Sequence, residues 1–414
     1  MNTEEHAMNY YFYIENYSLF FEKEERFFVY NTYNGKWADC PASSELRTLF
    51  TPFLEGINYA LPLSDEAITA YQLWPFIEAV REGFSGDLIS AGDATMAPFL
   101  FPSLLDFRLE KRKLDKKERE LGQEVYSNLK EISFFLHPRI VPENGLFLPE
   151  QIFYSKEIVP VAEGWQQVYL PFLHQLTINW DGIIHIWCNC CDEKMWSAVC
   201  EVFAPIPAFK ILHTAVESMP PSLEGLLNKD TFSYEVYVTD DSKEECLNKW
   251  LQLQSETDIE LLFQWLISSE KEWENASDWM ERNQIEHVNL LPYYNGENRF
   301  FFEEHIYVKE KDLLFEIINK KDIFARKMFN TNYFGKLFLC PDGQLYAHPA
   351  DDSLGKISEV SLPEMIHQEL SEGRTWQSIR DQEPCASCRY QWICPSPSDL
   401  ERALDRPNLC HLKK

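Results

Sequence analysis

The chain has 414 residues, with 38 Lys and Arg against 66 Asp and Glu, so its formal net charge is −28. A field of that sign repels phosphate backbones and anionic lipid headgroups, which excludes nucleic acid and membrane surfaces as expected partners. Apolar residues make up 45% and aromatics 14%, and a chain this long is expected to fold as two or three domains rather than around one core.

The opening MNTEEHAMNYYFYIENY is acidic and aromatic rather than basic and then apolar. No stretch approaches the ~20 apolar residues of a membrane span, so the cytoplasm is the expected compartment. Residues 8–33 read as aromatic strands: YYFYIENYSLFF, a charged turn at EKEER, then FFVYNTYNG ending on Asn34-Gly35. SSELRTLFTPFL follows as a short amphipathic helix, and Ser64-Asp65-Glu66 opens another with a capping serine and acids in its first turn. Pro75 kinks that helix or starts a new one, and IEAVREGFSGDL closes the unit near residue 90. Residues 1–95 are thus expected to form a small sheet plus helices.

From about residue 105 to residue 330 the chain alternates strand and helix signals. Apolar runs occur at EISFFLHP, GIIHIWC, FKILHTAV, SYEVYVTD, IELLFQWLI and HVNLLPYY. Between most of them lie GWQQVYLPFLHQL, DEKMWSAVCEVF, KEECLNKWLQL and SEKEWENASDWMERN, with KEKDLLFEIINK after the last. Regular alternation predicts an α/β fold with a parallel sheet, because a parallel return needs a crossover connection. Six units predict an open, partial (β/α)6 barrel. His137, His185 and His213 each fall in a predicted strand and are read as hydrogen-bonded barrel residues.

The last segment, 331–414, carries one predicted helix through LPEMIHQELSEG and is densely punctuated by Pro and Cys. Small loop-rich units of this kind need a staple. Of the eleven cysteines, Cys340, Cys385, Cys388, Cys394 and Cys410 crowd this final part. In a reducing compartment a clustered set points to metal before disulfide. The last four run C-x2-C-x5-C and then, after fifteen residues, Cys410. A C-x2-C pair places two thiolates on one centre, and the other two close a tetrahedron from further away. Four thiolates fit Zn²⁺ or a [4Fe–4S] cluster, and the spacing alone does not choose between them.

FGKLFLCPDGQLYAHPADDSLGKISEVSLPEMI followed by CASCRYQWICPSPSDLE resembles the SPASM domain of radical SAM peptide maturases. The resemblance implies that Cys385, Cys388, Cys394 and Cys410 ligate the outer auxiliary [4Fe–4S] cluster. The inner cluster's pattern is broken: its G-x4-C cysteine falls on Gly343 and then His348, and the cysteine due four residues after Cys394 is Ser398. Cys340 and His348 are kept as possible additional metal ligands, with core burial the alternative for Cys340.

A working radical SAM enzyme carries C-x3-C-x2-C after the first barrel strand, because three thiolates leave one iron open to SAM. After EISFFLHP this chain reads RIVPENGLFLPEQIFY, with no cysteine, and WCNCCDEK stands where a GGE-like segment would hold the SAM amino group. No SAM is expected to bind. The whole length, from YFYI…VYNTYNGK to CPSPSDLE, resembles pseudo-radical-SAM proteins of Bacteroidales peptide natural-product systems, and residues 1–95 resemble a RiPP recognition element of winged-helix form. No G-x4-G-K-[ST], H-E-x-x-H or G-x-S-x-G motif anchors another chemistry, and no catalytic residue is assigned.

The expected function is that of a catalytically silent radical SAM homologue that binds a precursor leader peptide and partners an active maturase as a hetero-oligomer. The peptide is expected at Tyr11, Tyr13, Phe28 and Tyr30. An extended leader can add to a sheet edge, and residues 10–33 hold more aromatics than one face of so small a sheet can bury. The alternatives are an active SPASM-type maturase with a degenerate SAM site and a zinc-stapled interaction protein.

Overall fold

A computed structural model describes residues 10–55, 60–92, 123–137, 161–176, 180–189, 192–218, 232–240, 242–257, 259–285, 288–372 and 375–412. The segment after the first barrel strand, and Cys190 and Cys191 of WCNCCDEK, lie outside the described residues.

The first unit holds strands β1 (Tyr10–Ile14), β2 (Ser18–Lys23), β3 (Arg26–Asn31), β4 (Trp37–Pro41), β5 (Ala60–Leu63) and β6 (Gly86–Ser90). Helices α1 (Ser44–Leu54), α2 (Asp65–Ala70) and α3 (Trp74–Glu82) lie among them. The aromatic run that reads as one strand is two. Ser18 N–H donates to Glu15 O across a turn, after which β1 pairs with β5 and β6 while β2 joins β3 and β4, giving two three-stranded antiparallel sheets. Glu24 and Glu25 take φ of 50° and 55°, and Lys23 pairs with Arg26, so β2 and β3 form a two-residue hairpin of the left-handed kind that follows strand twist. Ser43 and Ser64 cap α1 and α2 by accepting from the N–H groups of Leu46 and Ala67. Pro75 sits in the first turn of α3, where its missing N–H costs nothing, and so it begins that helix. Phe12, Phe27, Phe50 and Phe76 are buried among the two sheets and the helices in a core of their own.

All six barrel strands fall where the apolar runs place them. They are β7 (Glu131–Phe135), β8 (Ile183–Trp187), β9 (Phe209–Ala215), β10 (Ser233–Val238), β11 (Leu261–Ile267) and β12 (Val288–Pro292). Each pairs in parallel with its successor. Helices α4 (Trp165–Leu176), α5 (Glu193–Phe203), α6 (Glu244–Thr257) and α7 (Glu270–Asn283) cover the sheet. The tail does not stand apart from it. Its strand β13 (Lys336–Leu339) pairs in parallel with β7, and β14 (Gln344–Tyr346) and β15 (Gly355–Lys356) continue as antiparallel strands to make nine. Leu337, Leu339, Met365, Ile366 and Trp376 of the tail share one apolar core with the barrel strands.

KEKDLLFEIINK, expected as one helix, is helical only in α8 (Glu310–Phe315), and α9 (Lys320–Met328) begins at its last residue. The break is held by two bonds: Asn319 caps α9 by accepting from Asp322 N–H, and Ile318 N–H donates to the buried Tyr30 hydroxyl at 2.9 Å. The last two helices are α10 (Leu362–Glu372) and α11 (Asp399–Ala403).

Trp250 on α6 is fully buried, and its indole N–H donates to Val216 O at 3.0 Å. Trp250→Ala removes both packing and that bond, and is expected to cost about 3–5 kcal/mol. Equilibrium denaturation of the two proteins reads this directly. A loss below about 1 kcal/mol would show that α6 does not anchor the barrel core.

Candidate functional site

The cysteine-rich loop is shaped by a run of tight turns. Cys388 N–H donates to Cys385 O, Gln391 N–H to Cys388 O, and Cys394 N–H to Tyr390 O. Arg380 ties the loop to its surroundings. Its Nε donates to Pro395 O at 2.5 Å, Nη2 to Glu401 Oε1 at 2.9 Å, and Nη1 lies 3.7 Å from Cys385 Sγ. Cys388 Sγ accepts from the Tyr390 N–H at 3.4 Å. Cys410 reaches the loop from the chain end, where it bridges Val308. Burial pushes the Cys394 thiol up to about 12, against the pull of Arg380, with Cys388, Cys410 and Cys385 each adding to the rise.

The fold therefore brings the four distant cysteines into one electrostatic neighbourhood. Thiol donors with N–H and guanidinium partners on sulfur suit a thiolate-bound metal. Among the described residues, however, no three His, Cys, Asp or Glu side chains converge as a group able to hold an ion.

Cys340 and His348 lie elsewhere. Cys340 follows β13 and is buried beside Phe135, Trp187, Tyr237 and Phe338. His348 is fully buried, and both its ring nitrogens face protein. Nδ1 accepts from Ala350 N–H at 3.0 Å and Nε2 lies 2.7 Å from Asp399 Oδ1.

The aromatic residues of the first unit divide between its sheets. Phe28 and Tyr30 are 2% and 1% exposed because their face of β3 is covered by the tail. Tyr30 packs on Trp37, and Trp37 meets Tyr390 at 5.6 Å between ring centres. Lys23 Nζ donates to Ala386 O and Arg326 to Ile393 O, so both the N-terminal hairpin and α9 grip the cysteine loop. Tyr11 and Tyr13 are half-buried on β1. Tyr13 also lines an open groove of about 540 Å³ beside the edge strand β6, with Tyr17, Phe84, Glu15, Glu78 and Asp87. Phe84 is 71% exposed there.

Sequence reasoning missed the barrel interior as a site. Alternate residues of β7–β12 point into a cavity of about 680 Å³. Register lines their polar side chains up as one chain of contacts. Lys336 Nζ lies 2.9 Å from Glu131 Oε2, which lies 3.4 Å from His185 Nε2. His185 Nδ1 is 2.8 Å from His213 Nε2, and His213 Nδ1 is 3.3 Å from Glu235 Oε2, which accepts from Gln264 Nε2 at 2.8 Å. Trp187 stacks on His213 with ring centres 3.9 Å apart. Burial tends to raise Glu131, but its bonds to His185 and Lys336 win and hold it at about 2. Burial pulls His213 down to about 4, outweighing Glu235. The sequence carries the signal as polar residues inside apolar runs: Glu131 and Ser133 two apart, Glu235 and Tyr237 two apart, and His185, His213 and Gln264 singly.

No protein-family profile matches the chain, and no curated protein matches it. Among solved structures, Streptococcus suis SuiB bound to S-adenosylmethionine aligns over 96% of this chain and 98% of its own, at 12% identity and a TM-score of 0.35. BtrN in complex with AdoMet and 2-DOIA aligns over 59% of this chain and 84% of its own, at 13% identity and a TM-score of 0.29. Similarities this low carry no functional argument. The fold assignment rests on the sheet itself: six parallel strands in chain order with helices between most of them, an arrangement compatible with a radical-SAM-like fold. No helix among the described residues is long and apolar enough to cross a membrane.

His213 sets a pH dependence. Its folded value, about 4, lies below the ordinary 6.5, so as pH falls the unfolded chain takes up the proton first. The stabilisation is whole above pH 6.5 and is lost progressively towards pH 4, amounting to about 3 kcal/mol. The unfolding midpoint of the wild type is expected to drop through that window and that of His213→Gln to drop less. Parallel curves would assign the acid sensitivity to other groups.

Proposed function

We propose that this chain is a catalytically silent radical-SAM-like barrel protein that binds a ribosomal precursor peptide, carries one auxiliary [4Fe–4S] cluster, and supports a separate, active maturase. One observation carries the reading: the clustered thiols are gathered in the tail, while residues 138–154, which follow the first barrel strand, contain none. Without thiolates there, an iron with an open position for SAM has no ligands. Cys385, Cys388, Cys394 and Cys410 would hold the tail cluster, their sulfurs converging when it binds. Such a cluster would supply one-electron redox chemistry and a covalent staple for the loop. Arg380, beside Cys385 and anchored by Glu401, would offset the charge of the thiolates.

The peptide site is proposed at the groove beside β6. An edge strand offers unpaired backbone groups to an extended leader, and Tyr13, Tyr17 and Phe84 offer apolar surface next to it. Four acids, Glu15, Glu78, Glu82 and Asp87, against Arg81 favour a leader with basic residues. The buried Phe28 and Tyr30 serve instead to seat the first unit on the tail.

Anaerobically reconstituted protein is expected to be brown, to hold about four irons per chain, and to form no 5′-deoxyadenosine from SAM and reductant above background. Stoichiometric zinc without iron would reassign the tail as a zinc staple, and turnover that survives replacement of the tail cysteines would reveal an active maturase. For the peptide, the doubly substituted Tyr13→Ala, Phe84→Ala protein is expected to bind a labelled leader about tenfold more weakly than wild type. Equal affinity would reject the groove.

A further inference from the structure

We propose that the barrel interior is a binding site for an organic cation rich in N–H donors, an amine or guanidinium group, seated at Glu235, Gln264 and Asn289 against Trp187, Tyr237 and Tyr293. The site owes nothing to the tail cysteines or the β6 groove, so it stands or falls apart from the function proposed above. Its volume of about 680 Å³ lies within the range of small-molecule cavities.

The charges inside the cavity are unevenly matched. Glu131 is compensated by Lys336 at 2.9 Å, and Asp399 faces His348 at 2.7 Å. Glu235 has only polar company. Its Oε2 accepts from Gln264 Nε2 at 2.8 Å and lies 3.3 Å from His213 Nδ1, and among the described residues no lysine or arginine pairs with it. His213 cannot serve as that cation, since burial among Trp187, Tyr237 and His185 keeps it neutral near pH 7. A carboxylate in a half-buried aromatic pocket without a counter-charge is a costly arrangement that a ligand cation relieves.

A second observation points the same way. Gln264 is 6% exposed and lines the cavity, and its Oε1 has no hydrogen-bond donor. Its amide nitrogen is committed to Glu235, which leaves Oε1 a buried acceptor without a donor among the described residues of the cavity wall. Register places Asn289 of β12 directly opposite Gln264, adding an exposed amide at the mouth. Acceptors and aromatic rings thus line the same cavity, the pairing by which proteins hold ammonium and guanidinium groups. An anion would meet Glu235, and a neutral ligand would leave it uncompensated.

Titration calorimetry of the full-length protein with agmatine is expected to show one site per chain. A Gly-Arg-Gly tripeptide distinguishes a free metabolite from a basic side chain as the source, according to which binds more tightly. Glu235→Gln is expected to weaken agmatine at least about tenfold, and Asn289→Asp, at an exposed position, to tighten it about tenfold. The Asn289 variant keeps the test decisive should Glu235→Gln unfold the barrel. Absence of binding at millimolar agmatine, affinity unmoved by Asn289→Asp, or tighter binding of citrate than of agmatine would each overturn the assignment.

Discussion

The parallel pairing of β13 with β7 is the contact on which the rest of the molecule depends. It places Lys336 opposite Glu131 and Phe338 opposite Ser133, so the tail supplies part of the wall of the cavity that the barrel strands enclose. The entry into that pairing needs Gly335. Its φ is +83°, a Cβ there would stand 2.6 Å from Asn128 O, and its carbonyl accepts from both Lys130 and Glu131 N–H groups. A side chain at this position would be strained by the backbone conformation and blocked by the backbone that leads into β7. Trp376 then clamps the pair from outside, its indole N–H donating to Lys336 O.

With β13 fixed, the cysteine loop has a base to stand on, and the first unit closes over it. Contacts run both ways. Trp37 packs on Tyr390, while Tyr30 accepts the N–H of Ile318 in the connection between α8 and α9. Arg380 and Glu401 form a pair with side chains only 10% and 6% exposed, and pairs buried this deeply cost heavily when broken. Order in the cysteine loop and order in the β2–β4 sheet are thus linked through shared side chains rather than through a flexible tether.

The six barrel strands were legible because each is a short apolar run between turn or helix signals, a pattern that needs no knowledge of partners. The sheet pairing of Lys336–Leu339 was not legible, since four residues carry little periodicity and their partner lies far away in sequence. Counting aromatics between Tyr10 and Tyr33 showed an excess over one face but not which face the tail covers, so Phe28 and Tyr30, read as peptide contacts, lie inside. His185 and His213 were legible as hydrogen-bonded barrel residues. Their links to Glu131 and Glu235 depend on strand register, which no single strand encodes.

Synthesis from the N-terminus adds a constraint of timing. The outer edge of β7, beginning at Glu131, has no partner until Lys336 leaves the ribosome, 205 residues later by their numbering. At ordinary elongation rates this leaves an apolar strand edge open for roughly 10–40 s. An unpaired edge is a template for foreign strands, so nascent chains truncated before β13 are those most prone to aggregate, and residue 335, far from the barrel's beginning, decides whether that edge is ever sealed.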